Sequence, residues 1–293
     1  MGKIFQGTGV ALITPFHKQG NIDFTALGQI IEHVIQNGVD YLVCLGTTSE
    51  SVTLNQQEKI AVMNYIIEAN NNRVPIVIGV GGNNTLELVD KLNKFDFSGI
   101  DGILSVTPYY NKPQQKGLYQ HFKAISDASS KPIILYNVPG RTSCNMNAET
   151  VLQLAEECKN IVAIKEASGN FAQAMEIIKH KPKNFQVLSG EDALLLPLMS
   201  IGMTGVISVA ANAYPEKFSQ MVNYGLKSDF KKAKEIHYEL LDFSNAIFEE
   251  GNPSGIKAAL EIMGLCQNNL RLPLVKTSKS LYNKISNIIS KIN

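Results

Sequence analysis

The stretch "IVAIKEASGN", residues 161–170, runs four apolar residues straight into a lysine and then into a polar, glycine-containing tail. Ile, Val and Ile without polar alternation read as a strand buried on both faces, and the tail reads as the loop that leaves it. The lysine at the junction, Lys165, needs a reason, because burying an ammonium group is costly unless it is paired or neutralised. Either it snorkels to water at the strand end, or it is held in a pocket because an amine is needed there.

Seven further runs share this character: "VALIT" from Val10, "YLVCLG" from Tyr41, "PIVIGVG" from Pro75, "GILSVTP" from Gly102, "PIILYNVP" from Pro132, "FQVLSG" from Phe185 and "GVISVAAN" from Gly205. Helical periodicity fills the gaps between them. "FTALGQIIEHVIQNG" places Leu27, Ile30, Ile31, Val34 and Ile35 on one face and stops at Gly38. "NQQEKIAVMNYIIEAN" opens with Asn55 as an N-cap and Glu58 as its N3 partner. Strand and helix alternate at about thirty residues per unit, the size of one β-α unit. Eight such units predict an α/β protein with a closed (β/α)8 TIM barrel, for which roughly 250 residues is typical. After about Tyr224 the strand pattern stops and three amphipathic segments follow. The expected organisation is a barrel over residues 1–225 and a C-terminal α-helical appendage over 226–293, packed on the barrel because no Gly/Ser linker separates the two.

Composition excludes several classes of function. The chain has 293 residues, 44% hydrophobic and 18% charged, with a formal net charge of +1. That is a globular profile without the Lys/Arg runs of a nucleic-acid binder. No apolar run approaches membrane-spanning length, and the N-terminus lacks an apolar leader segment. The chain begins Met-Gly, but Gln6 stands where a myristoylation signal requires Ser or Thr. Cys44, Cys144, Cys158 and Cys266 are scattered and form no C-x-x-C. Cys44 sits in an apolar run and reads as a reduced core thiol, which points to a cytoplasmic protein. His17, His33, His121, His180 and His237 show no metal-ligand spacing. "GVGGNNT" lacks the third glycine of a dinucleotide turn. No metal and no cofactor is expected.

In a barrel of this kind chemistry sits at the carboxyl ends of the strands. Those ends offer Thr14-Pro15, Gly46-Thr47-Thr48, Gly79, Thr107 to Tyr110, Tyr136-Asn137, Lys165, Ser189-Gly190 and Ser208. The acids Glu50, Glu166 and Glu191 are expected in the loops just beyond. One lysine among hydroxyls and tyrosines suggests an amine nucleophile. An amine attacks a carbonyl only when unprotonated, and a free lysine has a pKa near 10.4, so the ammonium form must be disfavoured by roughly 4 kcal/mol. If Lys165 points into the barrel, Glu166 points away, since side chains alternate along a strand. Tyr136, at the end of the preceding strand, with Thr47 and Tyr110 could pass protons at the reacting carbonyl. "GTTSES" presents hydroxyls and backbone N–H groups fit for a carboxylate, or is a simple turn. Arg141 is a surface arginine or a bidentate carboxylate clamp.

The ordered set "GTTSES", "TPYYNKP", "YNVPGRT", "IKEASGN", "LSGED", "GVISV" and "LRLPLV" resembles the dihydrodipicolinate synthase family of class I Schiff-base aldolases, over almost the whole chain. The resemblance implies that Lys165 forms an imine with pyruvate, and that Tyr136, Thr47 and Tyr110 relay protons. It implies that Tyr110 enters the active site of a neighbouring subunit in a tight dimer, within a homotetramer built as a dimer of dimers. Thr48 would hold the pyruvate carboxylate and Arg141 the carboxylate of L-aspartate 4-semialdehyde, with the backbone around Gly190 and Ile207 lining the pocket. Ser51, Asn83, Glu87 and Tyr109 match residues that bind inhibitory lysine in many members, whereas Gln56 and Lys59 do not. A cationic Lys59 beside a cationic ligand is repulsive, so weak or absent lysine feedback is expected. Ser49 stands where the family has glycine in "GTTGES", and carries strain if that position needs a positive φ.

Two other readings remain open on the sequence. One is a sister aldolase acting on N-acetylneuraminate or a 2-keto-3-deoxy sugar acid, against which Arg141 and "TPYYNKP" speak, since fold and lysine alone cannot separate substrates. The other is a non-catalytic barrel that binds a keto acid with Lys165 inert.

Overall fold

The computed structural model describes residues 4–292, so the Met-Gly start discussed above lies outside the described residues. Eight parallel strands close into a barrel in sequence order. They are β1 (Gly7–Ala11), β2 (Tyr41–Cys44), β3 (Ile76–Gly79), β4 (Gly102–Val106), β5 (Ile133–Asn137), β6 (Ile161–Glu166), β7 (Gln186–Ser189) and β8 (Gly205–Ser208). The ring closes where β1 pairs with β8, Gly7 opposite Gly205 and Val10 opposite Ser208. The (β/α)8 expectation is met, and the strands are buried on both faces as their unbroken apolar runs required.

Two boundaries differ from the sequence reading. The first strand begins at Gly7 rather than Val10 and ends at Ala11, so Thr14 lies beyond it. Gly7 and Gly9 look like strand breakers, but a Cβ on Gly9 would lie 2.2 Å from the Tyr41 ring, so glycine lets that ring pack across β1. Glu166 is the last residue of β6 and not a loop residue.

Around the barrel run α1 (Phe24–Gln36), α2 (Gln56–Asn70), α3 (Thr85–Lys94), α4 (Gln115–Ala128), the short α5 (Pro139–Thr142), α6 (Ala148–Glu157), α7 (Phe171–His180), α8 (Leu195–Ser200) and α9 (Pro215–Leu226). Helix α1 buries Leu27, Ile30, Ile31 and Val34, while Ile35 is only half-buried at its end. Asn55 and Glu58 form the reciprocal capping box on α2, at 2.9 Å in each direction. No helix among the described residues is long and apolar enough to cross a membrane.

Three helices follow: α10 (Phe230–Ala246), α11 (Ser254–Ile262) and α12 (Lys279–Ile292). They pack on one another and on the barrel, α10 against α8 and α9. Their tightest tie to the barrel is electrostatic. Lys257 on α11 is fully buried and donates to Glu50 Oε1 at 2.5 Å and to the Asn269 carbonyl at 2.9 Å. The other Glu50 oxygen accepts from the Arg271 backbone N–H at 3.1 Å. The Lys257 and Arg271 cations both lie over the Phe16 ring, at 4.2 and 4.6 Å from its centroid. Burial pushes the Lys257 ammonium below the usual lysine range, and the Glu50 charge opposes that push.

Removing one partner of a buried pair leaves the other charge uncompensated. We expect Lys257→Met to lower the unfolding free energy by about 3–5 kcal/mol, and Glu50→Gln added to it to recover part of the loss. Chemical unfolding of the two variants beside the parent chain measures both; a double variant less stable than Lys257→Met would contradict the account.

Candidate active site

Strand β6 carries Lys165 opposite Tyr136 of β5 and Leu188 of β7. Lys165 is 5% exposed. Its Nζ sits 4.4 Å from the centre of the Tyr136 ring, a cation–π contact. It forms no ion pair among the described residues.

The next residue, Glu166, is buried on the other face of the strand. Its carboxylate accepts from Ser168 N–H at 2.7 Å, Asn137 Nδ2 at 3.0 Å and Gln173 Nε2 at 3.0 Å. The alternation expected from the strand period therefore holds, and Glu166 is occupied away from the amine.

The strand ends beside β6 shape the space around Lys165. A Cβ on Gly190 would lie 2.5 Å from Ala167 Cβ and 3.0 Å from Lys165 Cε, so only glycine leaves room for the lysine stem there. Ile207 on β8 is buried. Asp192 accepts from the Val209 and Ala210 N–H groups at 3.0 and 2.9 Å, tying the β7 loop to the end of β8. Burial raises the pKa of Asp192, and burial and the Asp192 charge raise that of Glu191. The positive charges of Lys165 and Arg141 pull Glu191 the other way, which places all three in one electrostatic neighbourhood.

A cavity of about 680 Å³ opens at this end of the barrel, its wall including Thr47, Tyr136, Arg141, Val138 and Asn252. Lys165, Gly190 and Ile207 are not in that wall; Lys165 joins it through the Tyr136 ring. Arg141 sits on α5 and is exposed, as its reading as a clamp or a surface arginine allows. Thr47 is exposed to the cavity, whereas Thr48 is buried and accepts a hydrogen bond from Asn252 Nδ2 at 2.9 Å.

Ser49 does not adopt a positive φ; Leu45 and Glu50, at 56° and 52°, do. The strain expected for a serine in place of glycine is therefore absent. Its hydroxyl donates to the Leu12 carbonyl at 2.7 Å, a bond glycine could not make.

Tyr109 and Tyr110 stand apart from Lys165 in this chain. Tyr109 lines the cavity and exchanges two hydrogen bonds with Asn83, at 2.6 and 2.9 Å. Tyr110 has φ 64° and is 92% exposed. Ser51, Gln56 and Lys59 share the cavity wall with Tyr109, while Asn83 and Glu87 are exposed on or before α3. Lys91 of α3 also lines that wall, and burial, aided by the Lys59 charge, lowers its pKa.

Sequence reasoning missed Asn252, Lys257, Arg271 and Lys91. A signal existed for Lys257: a lysine in the apolar run "SGIKAALEIMG" calls for a buried partner. No comparable signal marked Asn252, whose partner is 204 residues away.

Comparison with known proteins places this arrangement. Residues 4–292 match the model of the dihydrodipicolinate synthetase family. The 4-hydroxy-tetrahydrodipicolinate synthase of Flavobacterium psychrophilum is 52% identical over 281 residues, 96% of each chain. The crystal structure of dihydrodipicolinate synthase from Aquifex aeolicus superposes with a TM-score of 0.94 at 43% identity, covering 98% of each chain. DHDPS from Cyanidioschyzon merolae, solved with lysine bound, superposes with a TM-score of 0.95 at 36% identity, covering 100% of this chain and 99% of its own. The chain belongs to the dihydrodipicolinate synthetase family.

Proposed function

We propose that this chain condenses pyruvate with L-aspartate 4-semialdehyde, the reaction of a 4-hydroxy-tetrahydrodipicolinate synthase, and that Lys165 is the amine that bonds to pyruvate. The reading rests on one observation above the others: a buried lysine at the end of β6, against a tyrosine ring and without a carboxylate partner among the described residues. The amine adds to the keto carbon and water leaves, giving an imine. Loss of a methyl proton gives the enamine, whose carbon attacks the aldehyde of the second substrate. The product leaves when its own amino group displaces the lysine, returning the amine for the next turnover. The chain needs no metal and no cofactor in this scheme.

Roles are assigned to the other residues on the same footing. Tyr136, Thr47 and Tyr110 move protons at the carbonyl oxygen. Thr48 donates to the pyruvate carboxylate, Arg141 clamps the carboxylate of the semialdehyde, and the backbone at Gly190 and Ile207 bounds the pocket. Tyr110 can take its role only across a subunit boundary, since it faces outward in its own chain. Val52, Leu86, Tyr109 and Ile60 are also exposed, and three of these four line the cavity beside it. An apolar face of that kind suits a second copy of the chain, and the homotetramer expected of the family belongs to this reading. So do the division into a barrel (1–225) and a helical appendage (226–293) and the cytoplasmic setting.

A sister aldolase acting on sialic acid would form the same imine from a different donor, so substrate choice needs its own test. Incubation with pyruvate followed by borohydride is expected to add one reduced pyruvate to Lys165, seen by peptide mass spectrometry, and Lys165→Ala to abolish it. Turnover is expected with pyruvate and the semialdehyde and not with sialic acid. An unmodified Lys165, or cleavage of sialic acid at a comparable rate, would reject the proposal.

The lysine-binding residues of other members are only partly present. Ser51, Asn83, Glu87 and Tyr109 are retained as an allosteric lysine site, but Lys59 and Lys91 bring two positive charges to the wall that holds Ser51 and Tyr109. A cationic amino acid meets repulsion there. Steady-state rates are therefore expected to stay unchanged across micromolar L-lysine; half-inhibition in that range would refute the electrostatic argument.

A further inference from the structure

We propose that Asn252, on the segment between α10 and α11, is a positioning residue that aims the Thr48 hydroxyl proton at the substrate carboxylate. This rests on the proposed role of Thr48 as the donor to pyruvate. A threonine hydroxyl carries one proton and two lone pairs. Asn252 Nδ2 donates to Thr48 Oγ1 at 2.9 Å, which occupies a lone pair and leaves the proton to be given elsewhere. No acceptor for that proton is found among the described residues, although Thr48 is buried. A buried hydroxyl whose oxygen is already engaged as an acceptor is prepared to donate to an anion, and hydrogen bonds to ionised acceptors are the stronger kind.

The amide itself is unusual. Asn252 is buried and lies in the cavity wall with Thr47, Tyr136 and Arg141, yet its Oδ1 has no partner among the described residues. Leaving a buried acceptor unpaired works against folding, so the bond to Thr48 is not part of a network built for stability alone. The backbone that carries Asn252 is anchored independently. Five residues on, Lys257 grips Glu50, which lies two residues beyond Thr48 in the same loop. Two bonds thus run from one C-terminal segment to one catalytic loop: the ion pair holds the loop's backbone, and the amide sets the direction of one hydroxyl.

Asn252→Asp tests the direction. An aspartate offers only acceptors, so it takes the Thr48 proton for itself and places a negative charge beside the substrate carboxylate. The pyruvate KM is expected to rise about tenfold or more, the size of a lost hydrogen bond to a charged group, with the semialdehyde KM within about twofold of the parent value. Asn252→Ala removes the donor without adding charge, and is expected to raise the pyruvate KM by a smaller factor; it serves if the aspartate variant does not fold. The double variant Thr48→Val with Asn252→Ala is expected to be no worse for pyruvate than Thr48→Val alone, because both act through the same hydroxyl. An unchanged pyruvate KM in Asn252→Asp overturns the proposal, since Thr48 would then be donating toward position 252. Multiplying effects in the double variant overturn it as well. A Thr48→Val variant with parental pyruvate KM removes the underlying role of Thr48, a failure that is visible without any change at position 252.

Discussion

Everything at the mouth of this barrel depends on the two-residue period of β6. Successive side chains of a strand point to opposite faces, so Lys165 and Glu166 are neighbours in sequence that never meet. The lysine lies against Tyr136, and the glutamate is held by Asn137, Gln173 and the Ser168 N–H on the other side. A shift of one residue in register would exchange them, setting a carboxylate in the barrel mouth and an ammonium among the helices. The pairing of Tyr136 with Lys165 and Asn137 with Glu166 fixes that register from the β5 side, and Lys165 with Leu188 and Glu166 with Ser189 fix it from β7. Glu166 is thus as necessary as the lysine it is turned away from: its three hydrogen bonds favour the one register in which the amine lies against the Tyr136 ring.

The C-terminal helices complete the site from a distance. Glu50 occupies a left-handed backbone position inside the loop that carries Thr47 and Thr48, a conformation that costs a non-glycine residue on the order of 1–3 kcal/mol. The Lys257 ammonium and the Arg271 N–H hold its carboxylate in place. A buried ion pair of this kind adds little net stability compared with apolar packing. Its value lies in specificity: one arrangement of the loop satisfies both charges, and others leave a charge buried alone. The Arg271 side chain extends the same grip to Glu58 on the capping box of α2 and to the Thr53 carbonyl. Loop, helix and C-terminal segment are therefore tied to one another through Arg271, Lys257 and Glu50.

The barrel was legible because strands buried on both faces have to be apolar throughout, and eight such runs with amphipathic helices between them admit few other arrangements. The one displaced strand, β1, shows the limit of that signal. Gly7 and Gly9 do not look like strand residues, yet β1 is defined by its pairing with β2 and β8 and by the Tyr41 ring that Gly9 admits. Lys165 and Tyr136 were legible because a polar residue at the end of an apolar run stands out. Asn252 was not, because its meaning comes from a partner more than 200 residues earlier in the chain, and Lys257, though conspicuous in an apolar run, gave no indication that its partner is Glu50. Strain at Ser49 hinged on a positive φ that the sequence alone does not give, and the left-handed turns fall at Leu45 and Glu50 instead.

Tyr110 carries the argument for a shared site. A bulky aromatic residue in the left-handed region is rare and strained, and an aromatic ring left 92% exposed removes almost no apolar surface from water. Among the described residues nothing offsets either. The strain is nonetheless maintained by structure: the two hydrogen bonds between Asn83 and the Tyr109 backbone clamp the residue just before it. A fold that spends two bonds to hold a ring out in solvent makes physical sense when another surface covers that ring. The exposed Val52, Ile60 and Tyr109, all in the cavity wall, offer apolar surface for such a contact. The loop geometry is consistent with the proposal of an active site finished by a neighbouring copy of the chain, in which the tyrosine hydroxyl would reach the lysine across the boundary.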